Sequence, residues 1–297
     1  GAIPTAHPLF VHLAVGHDLW RTADVVVGIG TRLEWPIMHW KTDEAMTIVK
    51  IDVDPDELDR HELGTIGVCG DADDVCRSLL ASLDGLPPRA DRTEDLAVRR
   101  AAYFAEIDHL RPQLDFLAAI RDVLPDDGVF VEDVTQIGFA SHLAFDFRHP
   151  RTFQSSGPAG TLGAAYAQGV GAQSALDAEG RGRRALVVAG DGGFLFTGNE
   201  LATAVQHDIP LVACVFDDGA YGNVRRIQSQ RFGPERTIAS SLRNPDFVAY
   251  ARSFGALGLH AAGPDELRAR LDEAFSAHRP AVVHVSTTAM PDPWPWF

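Results

Sequence analysis

The sequence is short of positive charge: 26 Lys and Arg stand against 41 Asp and Glu, a formal net charge of −15 at pH 7. With no basic run to offset this, neither nucleic acid nor an anionic membrane surface is an expected partner. A phosphorylated ligand in so acidic a chain needs local compensation from backbone N–H groups, a helix start or a bound cation. Cysteine is scarce as well. Cys69, Cys76 and Cys214 are odd in number and lack metal-type spacing, so they read as buried, reduced thiols in a cytosolic compartment. No apolar run approaches the roughly 20 residues of a membrane helix, and no signal segment opens the chain. The 12 histidines include no His-x-x-x-His or His-Glu pair on one helix, which removes the usual zinc pattern; His7, His142 and His207 read as structural or exposed. Ser155-Ser156-Gly157 lacks the nucleophile-elbow pattern of hydrolases, and no solenoid repeat is present. What remains is a soluble globular balance, 45% apolar and 23% charged over 297 residues, with room for two domains.

β-Branched runs at 24–30, 47–52 and 65–68 predict buried parallel strands. Val75, Leu79, Leu80 and Leu83, preceded by Gly70 and Asp71 as stop and cap, predict a helix packed back on them. Together 1–84 reads as half of an α/β domain. Residues 85–111 shift to Gly, Pro, Arg and acidic residues, a linker feeding a helix near 100–109. From 112 to 297 strands at 129–132, 152–154, 185–189, 211–216 and 281–285 alternate with helices, among them 161–175 and 198–206. That is an α/β fold with a parallel sheet covered by helices on both faces. Ligands in such sheets bind outside the carboxyl ends of the strands.

The strand Ala185 to Ala189 ends in Gly190-Asp191-Gly192-Gly193, where the Asp191 carboxylate projects into a turn whose glycines permit close backbone approach, as a diphosphate requires. The next strand ends in Asp217-Asp218-Gly219-Ala220-Tyr221-Gly222-Asn223. One right-handed crossover sets Asp191 and Asp218 side by side. Two carboxylates at adjacent strand ends, with open positions left for phosphate oxygens and water, suit Mg²⁺. The alternative is that Asp217 and Asp218 only cap the following helix.

The wording and spacing from Gly-Asp-Gly to Asp-Asp-Gly-Ala-Tyr-Gly-Asn resemble the thiamine diphosphate motif of the acetolactate synthase and pyruvate decarboxylase superfamily. So do Gly160-Thr161-Leu162-Gly163, Asn199 to Ala204, His7-Pro8-Leu9, Gly28 to Arg32, Ile51 to Pro55 and the closing Pro291 to Pro295. The resemblance implies that 1–84 is the carboxyl-terminal half of a Rossmann-like central domain and that a carboxyl-terminal domain binds thiamine diphosphate and Mg²⁺. Asp191, Asp218 and the Ala220 carbonyl would be metal ligands. Thr135, Gln136, Gly160, Gly190, Gly192, Gly193, Tyr221, Gly222 and Asn223 would bind the cofactor, and Leu162 would wedge it into a bent shape. It implies decarboxylation of a 2-oxo acid with carboligation to a second carbonyl such as an aldehyde.

Two departures accompany the resemblance. Asp218 stands where the family usually has Asn, which adds negative charge beside a diphosphate; Arg225 and Arg226 either offset it or face solvent, and a one-residue slip would make Asp217 the ligand. The family's activating glutamate lies on an amino-terminal pyrimidine-binding domain that these residues do not include; Glu200 does not fill that role. Gly1 is not Met, and the chain is expected to be a piece of something longer or a split subunit. The expected partners are that pyrimidine-binding domain or subunit and further copies in a homo- or hetero-oligomer. The rival reading is a non-catalytic or regulatory subunit that keeps the fold. Gly28-x-Gly30 lacks the third glycine of a dinucleotide fingerprint, with Leu33 in its place, so NAD is not expected; the sequence says little of FAD. The aromatic tail Trp294, Trp296 and Phe297 either packs on its own domain or covers the cofactor mouth.

Overall fold

The computed structural model describes residues 2–40, 42, 45–59 and 65–293, so the tail from Trp294 to Phe297 lies outside the described residues. The chain divides into two compact units, Val11–Tyr103 and Gly1–Phe10 with Phe104–Phe297. The first ten residues thus group with the second unit, where Thr5 N–H donates to Phe147 O at 2.9 Å. No helix among the described residues is long and apolar enough to cross a membrane.

The Val11–Tyr103 unit holds a parallel sheet of β1 (Val25–Ile29), β2 (Thr47–Asp52) and β3 (Thr65–Cys69), in that order. The three strands stand where the β-branched runs predict them. Only the central strand β2 is well buried, with Ile48 and Ile51 each 2% exposed. The edge strands are not: Val25, Val27 and Ile29, which alternate onto one face of β1, are exposed, as is Ile66. Asp71 caps the helix Ala72–Leu83 through the Asp73 and Asp74 N–H groups, as expected, but Leu79, Leu80 and Leu83 are exposed. Of the three thiols only Cys214 is buried, whereas Cys69 is exposed. The expected linker is largely a helix, Thr93–Ile107. Its composition hid a stripe: Leu96, Tyr103 and Ile107 lie at helical spacing and are buried, Asp91 accepts the Thr93 N–H at 2.9 Å, and Arg99 pairs with Asp95 one turn away.

The second unit is built on six parallel strands: β4 (Val129–Glu132), β5 (Phe153–Gln154), β6 (Ala185–Gly190), β7 (Val212–Asp217), β8 (Leu257–Ala261) and β9 (Ala281–Ser286), in spatial order β5-β4-β6-β7-β9-β8. Successive β6 side chains alternate between two cores. Leu186 and Val188 pack with residues of the helices Gln113–Val123, Gln136–Ala144 and Pro264–Ser276. Val187 and Ala189 pack with residues of Ala165–Glu179, Leu201–Gln206 and Phe247–Ser253. Both faces are therefore covered, and a strand that is apolar on both sides follows. Strand β8 has no counterpart in the sequence reading. Gly258 and His260 interrupt its apolar run, and Gly258 is required because a Cβ there would sit 2.4 Å from the Val248 carbonyl oxygen of the adjoining helix. The helix expected over 161–175 starts later, at Ala165.

Candidate functional site

A cavity of about 220 Å³ opens at the carboxyl ends of β4, β6 and β7. Thr135, Gln136, Leu162, Gly190, Gly192, Gly193, Tyr221, Gly222 and Asn223 line it, as do Asp191, Asp218 and Ala220. Gly160 does not. It is exposed, holds a left-handed conformation (φ 55°) and closes the short turn Gly157–Ala159 before the Leu162 loop.

The register Gly190↔Phe216 makes β6 and β7 neighbours, so the two acidic strand ends share one rim of the sheet. No glycine turn follows β6. Gly190, extended at φ −81° and ψ 161°, is the cap, and a helix runs from Asp191 to Thr197, continuing through a tighter turn into Leu201–Gln206. Gly192 and Gly193 thus lie in a first helical turn, where backbone N–H groups lack partners within the helix. A Cβ on Gly192 would fall 2.4 Å from Tyr221 Cε1 and 3.1 Å from Leu242, whereas one on Gly190 would meet Thr135 at an ordinary 3.6 Å. We expect Gly192→Ala to lose about 1–3 kcal/mol more than Gly190→Ala in urea unfolding, the usual range for overpacking a filled site. Equal stabilities would mean the Tyr221 ring moves freely.

The three carboxylates at the rim differ in environment. Asp191 is 2% exposed, and burial pushes its carboxyl up to about 6. Asn244 Nδ2 donates to Asp191 Oδ2 at 2.6 Å and to Asp217 Oδ1 at 2.7 Å, tying the ends of β6 and β7 together. Asp217 Oδ1 also accepts the Gly219 N–H, and Oδ2 lies 3.0 Å from His284 Nε2. Burial opposes ionisation of Asp217, but these bonds outweigh it and hold its carboxyl below the ordinary value. Asp217 does not line the cavity; both its oxygens are engaged behind it. Asp218 does line it. Burial raises its carboxyl, Arg225 stands 3.6 Å away, and Oδ1 accepts the Ala220 N–H. The bridge between Ala220 and Ser241 is made by Tyr221 N–H to Ser240 O and Leu242 N–H to Gly219 O, so neither bond uses the Ala220 carbonyl.

Leu162 reaches the cavity from a loop pinned by Asp133, just after β4. The Asp133 carboxylate, 2% exposed, accepts the Gly163 N–H at 2.9 and 3.0 Å and the Val134 N–H at 2.7 Å. Thr197 Oγ1 donates to Gly163 O from the other side. Asp133 and Asn244 are the two structuring residues that sequence reasoning missed. Asp133 carried a faint signal, a carboxylate directly after a buried strand. Asn244 carried none, because it reaches Asp191 across 53 positions. Of the buried amide oxygens without a hydrogen-bond partner among the described residues, Gln136 Oε1 belongs to a residue that lines the cavity. The Asp191 and Asp218 carboxylates, disfavoured by burial, and the Gln136 amide oxygen are oxygen donors that a hard cation carrying a diphosphate would satisfy, so the lining fits that pair.

Comparison with known proteins identifies the domains that contain this cavity and precede it. The family description "Thiamine pyrophosphate enzyme, C-terminal TPP binding domain" matches residues 133–285, and "Thiamine pyrophosphate enzyme, central domain" matches residues 1–79. A probable acetolactate synthase large subunit of Methanocaldococcus jannaschii is 29% identical over 96% of this chain and 51% of its own length. A probable 2-ketoarginine decarboxylase of Pseudomonas aeruginosa is 31% identical over 93% of this chain and 50% of its own. The acetolactate synthase isozyme 2 large subunit of Escherichia coli is 27% identical over 99% and 54%. The chain therefore spans about half the length of these relatives. With a matched cofactor-binding domain running from the end of β4 into β9 and a matched central domain before it, the chain belongs to the thiamine pyrophosphate enzymes, in the superfamily of acetolactate synthase and pyruvate decarboxylase.

Proposed function

We propose that this chain supplies the diphosphate and metal half of a site for thiamine diphosphate- and Mg²⁺-dependent decarboxylation of a 2-oxo acid with carboligation. The observation that carries it is the cavity at the ends of β6 and β7, where a buried carboxylate, Asp191, and a half-buried one, Asp218, face one space. In this proposal both carboxylates and the Ala220 carbonyl hold Mg²⁺. Among the described residues no three His, Cys, Asp or Glu side chains gather as a complete metal cage. That suits Mg²⁺, which usually completes its shell with phosphate oxygens and water. Gly192, Gly193, Gly222 and Asn223 present backbone to the diphosphate, Thr135 and Gln136 flank it, and Leu162 braces the cofactor. When bound, thiamine diphosphate supplies the carbanion chemistry; the chain orients it, neutralises its charge and excludes water.

A pyrimidine-binding domain, on this or another chain, completes the site, and the enzyme works as an oligomer in the cytosol. Turnover requires that domain. Calorimetry tests the proposal: thiamine diphosphate binds with Mg²⁺ and not with excess chelator, and pyruvate decarboxylation starts once a pyrimidine-binding domain is present. Absence of Mg²⁺-dependent binding would overturn it. Binding without turnover in the completed assembly would favour a regulatory subunit that keeps the fold.

A further inference from the structure

Beside the cofactor cavity lies a second one of about 360 Å³, and the two share Gln136, Asp218, Gly222 and Met290. Its other walls carry Arg225, Arg226, Ser229 and Thr237. The helix Gly222–Phe232 presents Arg225 and Ser229 one turn apart on one face. The opposite wall is fixed by an amide clip: Gln228 Nε2 donates to Ile238 O at 3.1 Å and Gln228 Oε1 accepts the Ile238 N–H at 3.2 Å.

The two guanidinium groups are not equivalent. Arg226 donates to Asn223 Oδ1 and Gln230 Oε1 and pairs with Asp292 at 3.0 Å, so it is a brace. Arg225 faces Asp218 at 3.6 Å, beyond hydrogen-bond length, with its side chain 36% exposed. If Asp218 gives its charge to a cation, Arg225 is left as a cation in this second cavity, which adjoins the cofactor cavity, with the Ser229 hydroxyl one turn away and the Thr237 hydroxyl, a donor to Pro234 O, on the facing wall. A planar fork of donors in such a place selects a carboxylate.

We propose that Arg225, with Ser229 and Thr237, is a specificity determinant: it takes the second, distal carboxylate of a dicarboxylic 2-oxo acid. This rests on the site proposed above. No covalent step is added; the residue sorts substrates by charge.

The probe is 2-oxoglutarate, titrated calorimetrically into the chain saturated with thiamine diphosphate and Mg²⁺, with 2-oxopentanoate as the uncharged-tail comparison. We expect 2-oxoglutarate to bind at least about 10-fold more tightly, the scale of one charge-assisted pair. Arg225→Met should erase that preference and Arg225→Lys should keep part of it, both measured at saturating thiamine diphosphate and Mg²⁺ because Arg225 also stands 3.6 Å from Asp218. Equal affinity for the two acids in the unaltered chain would overturn the proposal. So would an Arg225→Met chain that keeps the full preference for 2-oxoglutarate. If thiamine diphosphate does not bind the unaltered chain at all, it is the underlying site that fails, and that result is seen before either acid is added.

Discussion

Asp191→Ala is expected to weaken Mg²⁺-dependent cofactor binding by at least about 100-fold. Loss of a residue that only orients a metal ligand already costs about 10–100-fold, and in the proposed site Asp191 is a ligand itself. The pH dependence should point the same way. The folded carboxyl sits at about 6 against an ordinary 3.8 because burial disfavours its charge. Between those values the folded state holds a proton that the unfolded chain has released, so this group's contribution to stability falls as pH rises from about 4 to about 6. Above about 6 the full penalty is carried by the metal-free protein. Mg²⁺ should therefore bind well at pH 8 and weaken as pH drops through 6, where protons compete for Asp191. The shape-preserving Asp191→Asn should be at least as stable as the parent chain at pH 8 without metal, while losing cofactor affinity. A metal-free Asp191→Asn less stable than the parent at pH 8 would show that the charge is not under strain, and calorimetry at pH 8 and 5 checks the proton competition.

The second large effect is expected at Asn244. Its Nδ2 group is shared by Asp191 and Asp217, a single amide between two carboxylates. Asn244→Leu removes two charge-assisted hydrogen bonds and leaves the like charges facing each other. Each such bond contributes about 1.5–3 kcal/mol, and losses at a shared donor are not additive, so the expected destabilisation is about 2–4 kcal/mol at pH 8. The loss should shrink below pH 6, where Asp191 gains its proton, and Mg²⁺ with thiamine diphosphate should restore part of it. Urea unfolding at the two pH values, with and without cofactor, reads all three effects; a loss that does not vary with pH would assign Asn244 to packing alone.

The parts of this site written in adjacent residues were legible in the sequence. Gly190-Asp191-Gly192 and Asp218 to Asn223 each follow an apolar run that can only be a buried strand, and one crossover makes those strands neighbours. Which of Asp217 and Asp218 faces the cavity was not legible, because alternation along a strand fails at its last residue. The partners of Asp217 decide it, and His284 and Asn244 come from distant segments. The edge strand β8 was hidden for a similar reason: Gly258 answers to a helix carbonyl and not to strand propensity. The helix Thr93–Ile107 was hidden by its charged face, which outweighed three well-spaced apolar residues in any count of composition.

The narrow overlap between the two cavities bears on how this protein can diverge. They hold only Gln136, Asp218, Gly222 and Met290 in common, while Arg225, Ser229 and Thr237 belong to the outer one alone. Changes at Ser229 and Thr237 leave the walls of the inner space untouched, whereas a change at Arg225 reaches Asp218 in that wall, 3.6 Å away. Under the proposal above, Ser229 and Thr237 are where a directed library can try new substrate tails without risking the holding of the cofactor.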